Sequence, residues 1–296
     1  MRRPSTVELM LLATIVLWSL NLTMSRYVLT HGFQPLAYSS LRYGLGALIF
    51  VALTLLLERS LRLPRRDLVH AVVTAVVVFG NQVAFVYALD RITASVMGLI
   101  LGATPVFAGL FAIVSGIERP PPRFWAGALL SFAGVGLVAV GSGAELSGDL
   151  GGVLLGVLTA ISWAAYTILV TPLMRRHSAT KVSAVVIGLA SILILLVAIP
   201  QLSTQDFDLG WSVWLVLLAA AVGPLVVSNE LWFRVLDRIG PARATLAANL
   251  QPFLAAAIAV ALLGETLSTV ELLGGVLIAV GILVARRRRV VAPPGE

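Results

Sequence analysis

Leu89-Asp90-Arg91-Ile92 recurs unaltered as Leu236-Asp237-Arg238-Ile239, 147 residues further along the chain. The same offset, without a gap, pairs Pro105 with Pro252, Glu118 with Glu265, Gly127 with Gly274 and Gly134 with Gly281. Matches among Leu and Ala mean little in a chain that is 59% hydrophobic. Asp, Arg, Pro and Glu are rare inside apolar helices, so their return in register marks an internal repeat. Trp18 lies opposite Trp163 at an offset of 145, which implies a two-residue length change inside the repeat. The 296 residues therefore divide into a first copy, residues 1–143, and a second, residues 144–296.

Each copy reads as five membrane spans. Charged residues make up 12% of the chain and the mean hydropathy is +0.99, against about 25% charge in soluble domains. Ten apolar stretches follow one another: Val7 to Leu29, Pro35 to Leu57, Leu68 to Leu89, Ala94 to Ser115, Phe124 to Val140, Leu150 to Thr171, Ala179 to Ile199, Trp211 to Val235, Pro241 to Leu263, and Val270 to Ala285. Most reach the ~20 residues that a helix needs to cross a bilayer. Together they occupy about 200 residues at that length, which leaves no room for a separate soluble catalytic or nucleotide-binding domain. The period-two alternation of a membrane barrel is missing, so the spans are helices. Glycines at four-residue spacing, Gly98 with Gly102 and Gly152 with Gly156, suit close helix contact in lipid. The fold class that follows is an all-α integral membrane protein of ten transmembrane helices.

The net charge of +7 and a pI near 10.7 acquire meaning once the basic residues are placed. With both termini inside, the inner segments hold Arg2 and Arg3, the four arginines between Arg59 and Arg66, Arg119 and Arg123, Arg175, Arg176 and Lys181, Arg234, Arg238 and Arg243, and Arg286 to Arg289. That is 18 of the 21 Lys and Arg, the bias of cytoplasmic loops. The basic excess is then a topology signal, and with no aromatic residues interleaved it does not point to nucleic acid. Five spans per copy is odd, so the second copy enters the membrane from the opposite side. Inverted repeats of this kind build transporters in which the halves exchange conformations around a midplane site. The first apolar segment exceeds the length of a signal peptide and lacks a small-residue cleavage site, so it reads as a retained span. With no cysteine, disulfides, thiol nucleophiles and thiolate metal sites are excluded.

The repeated Pro, Glu, Gly and Gly at identical spacing, together with Trp18-Ser19-Leu20-Asn21 in the first span, resemble the EamA-type branch of the drug/metabolite transporter superfamily over essentially the whole chain. That resemblance implies a ten-helix metabolite carrier of the bacterial inner membrane, in most cases an exporter, with general likeness to exporters of aromatic and other amino acids. Two positions depart from the copy: Trp-x-x-Asn of the first half is Trp163-x-x-Tyr166 in the second, and Gly102 becomes Asn249.

Polar groups inside spans mark either helix-to-helix hydrogen bonds or a substrate path. Asn21, Asn81, Gln82, Asn229, Glu230, Asn249 and Gln251 are the main ones. Trp18 and Asn21 share a helix face at three-residue spacing, as do Trp163 and Tyr166 at the mirrored position. These pairs suit an amphipathic organic molecule, or else fill the core. Arg42 lies ~10 Å below the outer boundary with Tyr38 one turn above it, where it binds a substrate carboxylate or snorkels to headgroups. Glu230 is a candidate for proton coupling or for a substrate amine, or pairs with Arg234 one turn on. The substrate-binding set is therefore Trp18, Asn21, Tyr38, Arg42, Asn81, Gln82, Trp163, Tyr166, Glu230, Asn249 and Gln251. Pro105 and Pro252, with Gly98 and Gly102, are candidate hinges. Glu118 and Glu265 flank helix junctions and read as caps or loop anchors.

No catalytic residue, metal site or cofactor is read from the chain. H-E-x-x-H, G-x-S-x-G, paired intramembrane aspartates and a P-loop are absent. A channel remains the rival, without the recurrent filter segment or ring of like charges that channels carry. A drug-efflux carrier is the other alternative. The partners that follow are a small-molecule substrate, the lipid bilayer and, for a coupled carrier, protons.

Overall fold

The computed structural model describes residues 6–114, 122–141, 150–239 and 251–285. Among them the first half is α1 (Thr6–Thr30), α2 (Pro35–Glu58), α3 (Arg65–Arg91), α4 (Ala94–Leu101), α5 (Thr104–Val114) and α6 (Pro122–Gly141). The second half is α7 (Leu150–Met174), α8 (Ala179–Thr204), α9 (Trp211–Ala220), a π-helical segment (Ala221–Val227), α10 (Ser228–Ile239), α11 (Gln251–Leu263) and α12 (Thr269–Ala285). Local chemistry sets the ends. Pro35 opens α2, where its missing N–H goes unnoticed. The Thr93 hydroxyl caps α4 by accepting from the Val96 amide, and Ser178 caps α8 by accepting from Lys181.

Two spans read from the sequence as continuous are broken. The fourth stops at Leu101 and restarts at Thr104, so Pro105 falls in the first turn of a new helix, where proline is tolerated. Pro252 lies 147 residues beyond Pro105, in α11, which is described from Gln251. The eighth span widens into π geometry over Ala221–Val227, around Pro224. Proline there cannot donate to the carbonyl four residues back, and the wider turn absorbs the loss.

The helices pack as an inverted pair. α2 lies on α8 and α6 on α12, each span against its own copy. The contact of α3 with α7 is answered by α1 running along the eighth span, and that of α1 with α11 by α7 on α4 and α5. The axis itself passes through α6 and α12. Ser131 Oγ donates to the Ile278 carbonyl at 3.4 Å, a contact between residues 147 apart. On either side Gly134 meets Gly274 and Gly127 meets Gly281, and an offset of 147 converts one contact into the other. A Cβ on Gly134 would stand 2.6 Å from the Gly274 carbonyl oxygen, and one on Gly281 2.5 Å from that of Gly127. The repeated glycines therefore let two backbones touch.

Seven stretches of the described residues, two of them running across the breaks in the fourth and eighth spans, are long and apolar enough to cross a membrane, and three shorter apolar helices accompany them. Large apolar side chains such as Leu48, Leu56, Leu129, Leu196 and Leu283 are exposed, a surface that suits lipid and not water. The fold is thus an all-helical, ten-span membrane protein of two inverted five-helix repeats.

The seam between α2 and α8 is tied at both ends. At the arginine-rich face Glu58 pairs with Lys181 at 2.7 Å and accepts from the Ser178 hydroxyl. Asp67 there pairs with Arg176 at 2.6 Å and meets His177 at 2.7 Å. At the opposite face the ties are neutral amides. Gln205 Oε1 accepts from the Gln34 N–H at 2.7 Å, and Gln201 Oε1 accepts from the Leu36 N–H at 2.7 Å.

Candidate substrate-binding site

Trp18 on α1 and Trp163 on α7 are copies of one position, and their rings meet edge to face with centroids 6.2 Å apart. Equivalent residues touch only beside the axis that relates them, so this contact lies at the join of the halves. Trp232 on α10 stacks at a tilt on Trp18 at 5.0 Å, and Tyr166 on Trp163 at 5.3 Å. Three spans thus contribute to one aromatic cluster, and Trp163 is 37% exposed within it. Indole and phenol rings offer a large flat apolar face with a polar edge, the surface that an amphipathic organic molecule fits.

Trp232 escaped the reading of the sequence. Its signal was present as Asn229-x-x-Trp232, the Trp18-x-x-Asn21 pattern in reverse, on a helix running oppositely through the membrane.

The polar residues separate into three groups. Asn81 Nδ2 donates to the Thr159 carbonyl at 2.9 Å and to Ser162 Oγ at 3.0 Å, fastening α3 to α7. Gln82 Nε2 donates to Ser39 Oγ at 2.9 Å and fastens α3 to α2. Asn229 Nδ2 turns back to the Leu225 carbonyl at 2.5 Å, within the loosened π turn. Asn21 is different, because its Oδ1 is buried without a hydrogen-bond partner among the described residues. The start of α11 reaches the same helix, the Gln251 carbonyl accepting from Ser19 Oγ at 3.1 Å. Asn249 and Glu118 lie outside the described residues.

Glu230 accepts from Thr180 Oγ1 at 2.7 Å, across to α8. No ion pair joins it to Arg234 among the described residues; Arg234 is exposed. Arg42, by contrast, is buried and does not snorkel. Its Nε donates to the Ala220 carbonyl at 3.4 Å, and its guanidinium carbon lies 5.9 Å from the Tyr38 ring and 5.7 Å from the Tyr43 ring. The Tyr38 hydroxyl is engaged with Ser25 Oγ at 2.8 Å.

Glu265 is a cap. Its carboxylate accepts from the amides of Ala94 and Ser95, both at 2.9 Å, and from Ser95 Oγ at 2.6 Å. A loop of the second half thereby closes the N-terminus of α4, where the helix dipole favours negative charge.

Two carboxylates lie beyond the apolar spans, at the arginine-rich face. A hydrogen bond from Lys181 holds Glu58 below the ordinary carboxylate range, and one from His177 does the same for Asp67. Among the described residues no three His, Asp or Glu gather in a way that would hold a metal ion.

A helical membrane bundle built from two inverted copies, with an aromatic cluster where equivalent residues meet, has the architecture of a transporter. Residues 5–140 and 150–287 each match the EamA-like transporter family. The chain belongs to that family and is a membrane transporter of small molecules.

Relatives along almost the full length agree. The chain is 26% identical to an uncharacterized inner membrane transporter, YedA, of Escherichia coli strain K12, over 93% of this chain and 89% of that one. It is 29% identical to a probable amino-acid metabolite efflux pump of Salmonella typhimurium, over 92% of each. A solved crystal structure superimposes with a TM-score of 0.66 at 23% identity, covering 96% of this chain and 98% of that one, and shares its fold.

Proposed function

We propose that the protein is an alternating-access carrier that exports small amphipathic metabolites, foremost aromatic and other amino acids, across the inner membrane. Both termini and the arginine-rich loops then lie in the cytoplasm, in keeping with the positive-inside rule. The observation that carries this reading is the meeting of Trp18 with its copy Trp163 at the join of the halves. A site on the axis keeps the same residues when the two halves exchange conformations, which is what alternating access requires. The amino-acid substrate is supported by the name of the Salmonella typhimurium relative, and the export direction by the same name.

In this account residues 1–143 and 144–296 are the two units that exchange shapes, and Pro105 and Pro252, with Gly102, are the hinges, with Gly98 allowing α4 to slide. Trp18, Asn21, Trp163, Tyr166 and Trp232 contact substrate directly. Asn81, Gln82, Asn249 and Gln251 border the path. No reaction is catalysed. Protons are the coupling ion, taken up at Glu230, whose carboxylate is held by Thr180 between the moving eighth span and α8.

Uptake by purified protein in liposomes, screened across amino acids with and without a proton gradient, tests the reading. Accumulation of aromatic amino acids that responds to the gradient is the expected result. Failure to move any amino acid removes the substrate assignment. Glu230→Gln flattens the pH dependence of transport in this account; an unchanged profile removes Glu230 from coupling.

A further inference from the structure

Arg42 carries a charge that no described residue balances. It is 3% exposed, and no carboxylate lies within ion-pair distance of it among the described residues. Its only hydrogen bond among them runs from Nε to the Ala220 carbonyl. That carbonyl stands at the head of the π segment, four residues before Pro224, which has no N–H to return to it. Guanidinium has five N–H donors, and Nη1 is buried without a partner among the described residues. Tyr38 and Tyr43 stand close to the cation, their centroids 5.9 and 5.7 Å from its carbon, and stabilise it through their ring faces. Neither ring supplies the counter-charge. A buried cation left in this way is among the least stable arrangements in a protein, more so at membrane depth.

The geometry points to Arg42 as the site for the carboxylate of an organic monoanion, gripped by its terminal N–H groups between Tyr38 and Tyr43. The inference rests on the carrier reading and extends its substrate class from amino acids to monocarboxylates with an apolar or aromatic body. A planar fork of donors matches two carboxylate oxygens, and one buried cation neutralises one negative charge but not two. The rest of the ligand is indicated by what adjoins the site. Tyr43 belongs to the packed cluster against which Tyr166 lies, and Tyr166 stacks on Trp163. A ring attached to the carboxylate by a short chain therefore meets aromatic surface, which an inorganic anion would leave unused. No acidic group accompanies Arg42 among the described residues, so recognition at Arg42 is directed at the carboxylate.

The test is a binding titration on the purified full-length chain in nanodiscs, in chloride-free buffer, read by tryptophan fluorescence and by thermal unfolding. The probes are 3-phenylpropionate, L-phenylalanine and 3-phenylpropionamide. Wild type binds the two acids within about threefold of each other and the amide at least about tenfold more weakly, the size expected for losing charge-assisted hydrogen bonds. Only the acids raise the unfolding temperature. Arg42→Gln brings the acids down to the level of the amide, and Arg42→Lys restores part of the preference. Equal binding of acid and amide by wild type, an acid preference that survives Arg42→Gln, or chloride competing as well as the acids would overturn the assignment. The wild-type comparison stands even where the Arg42 variants fail to fold. Acid binding without transport leaves the Arg42 site and removes the carrier; transport of amide and acid alike does the reverse.

Discussion

Trp18 and Trp163 show how far the position of a single residue carries. Their equal place in the repeat and their polar or phenolic companions three residues on mark them as partners, and their rings meet. Trp18→Ala and Trp163→Ala should each weaken binding of an aromatic substrate about 5- to 10-fold, from roughly 1 kcal/mol per ring contact, while alanine as substrate is affected less. Transport KM values for the two substrates measure this, and equal losses for both would place the rings in the scaffold. Asn81 and Gln82 show the limit of the same reasoning. A polar side chain aimed at a neighbouring helix and one aimed at a cavity are both interior and both mid-span, so the sequence does not separate them. The hydrogen bonds of Asn81 to Thr159 and Ser162 turn on which way α3 faces, which only packing decides. Arg42 is equally ambiguous in sequence between headgroup and interior, and the carbonyl that holds it inward, that of Ala220, belongs to a distant span.

At the scale of elements, the glycines of α6 and α12 carry the sharpest expectation. Gly134→Ala and Gly281→Ala place a methyl against backbone at 2.6 and 2.5 Å, and each should destabilise the protein by about 1–3 kcal/mol. Gly136→Ala, on the same helix but with nothing within 4 Å of the added Cβ, should be neutral or mildly stabilising. Thermal unfolding in detergent measures all three, and an equal loss at Gly136 would show that helix flexibility, and not contact, is responsible. The clasp of Glu58 and Asp67 at the arginine-rich face has a definite pH sign. Both carboxyls are held below their ordinary range, so the clasp contributes in full above that range and is lost as pH falls through the lowered values. Asp67→Asn should lower the unfolding temperature at pH 7 and bring no further loss in acid; a gap of the same size at both pH values would contradict this origin. Element types are legible from hydropathy alone, but the breaks in the fourth and eighth spans are not. Glycine and proline signal weakness at Gly102 and Pro224 without saying whether the helix bends, restarts or widens, because neighbouring helices choose among these.

For the whole molecule, the offset of 147 foretells the inversion, since an odd number of helices per copy forces it, and a twofold axis between inverted copies lets a span pack against its own copy. The lateral packing of α2 on α8 and of α6 on α12 is that consequence. What the repeat does not disclose is chemistry that differs between the copies: an ionic clasp joins α2, α3 and α8 at one face, and amides join α2 and α8 at the other. The absence of native cysteine permits a direct check of orientation. Single cysteines at Ser60 and Asp206 should label oppositely with a membrane-impermeant maleimide, Asp206→Cys from outside intact cells and Ser60→Cys only after permeabilisation. Labelling of both from one side would overturn the inverted topology. The central claim, that the halves exchange conformations around a fixed site, is tested most directly by counterflow. Liposomes loaded with excess unlabelled phenylalanine and diluted into labelled phenylalanine should take up label transiently above equilibrium, because a carrier returns loaded. Simple equilibration of the label, with no overshoot, would contradict the carrier and leave a channel.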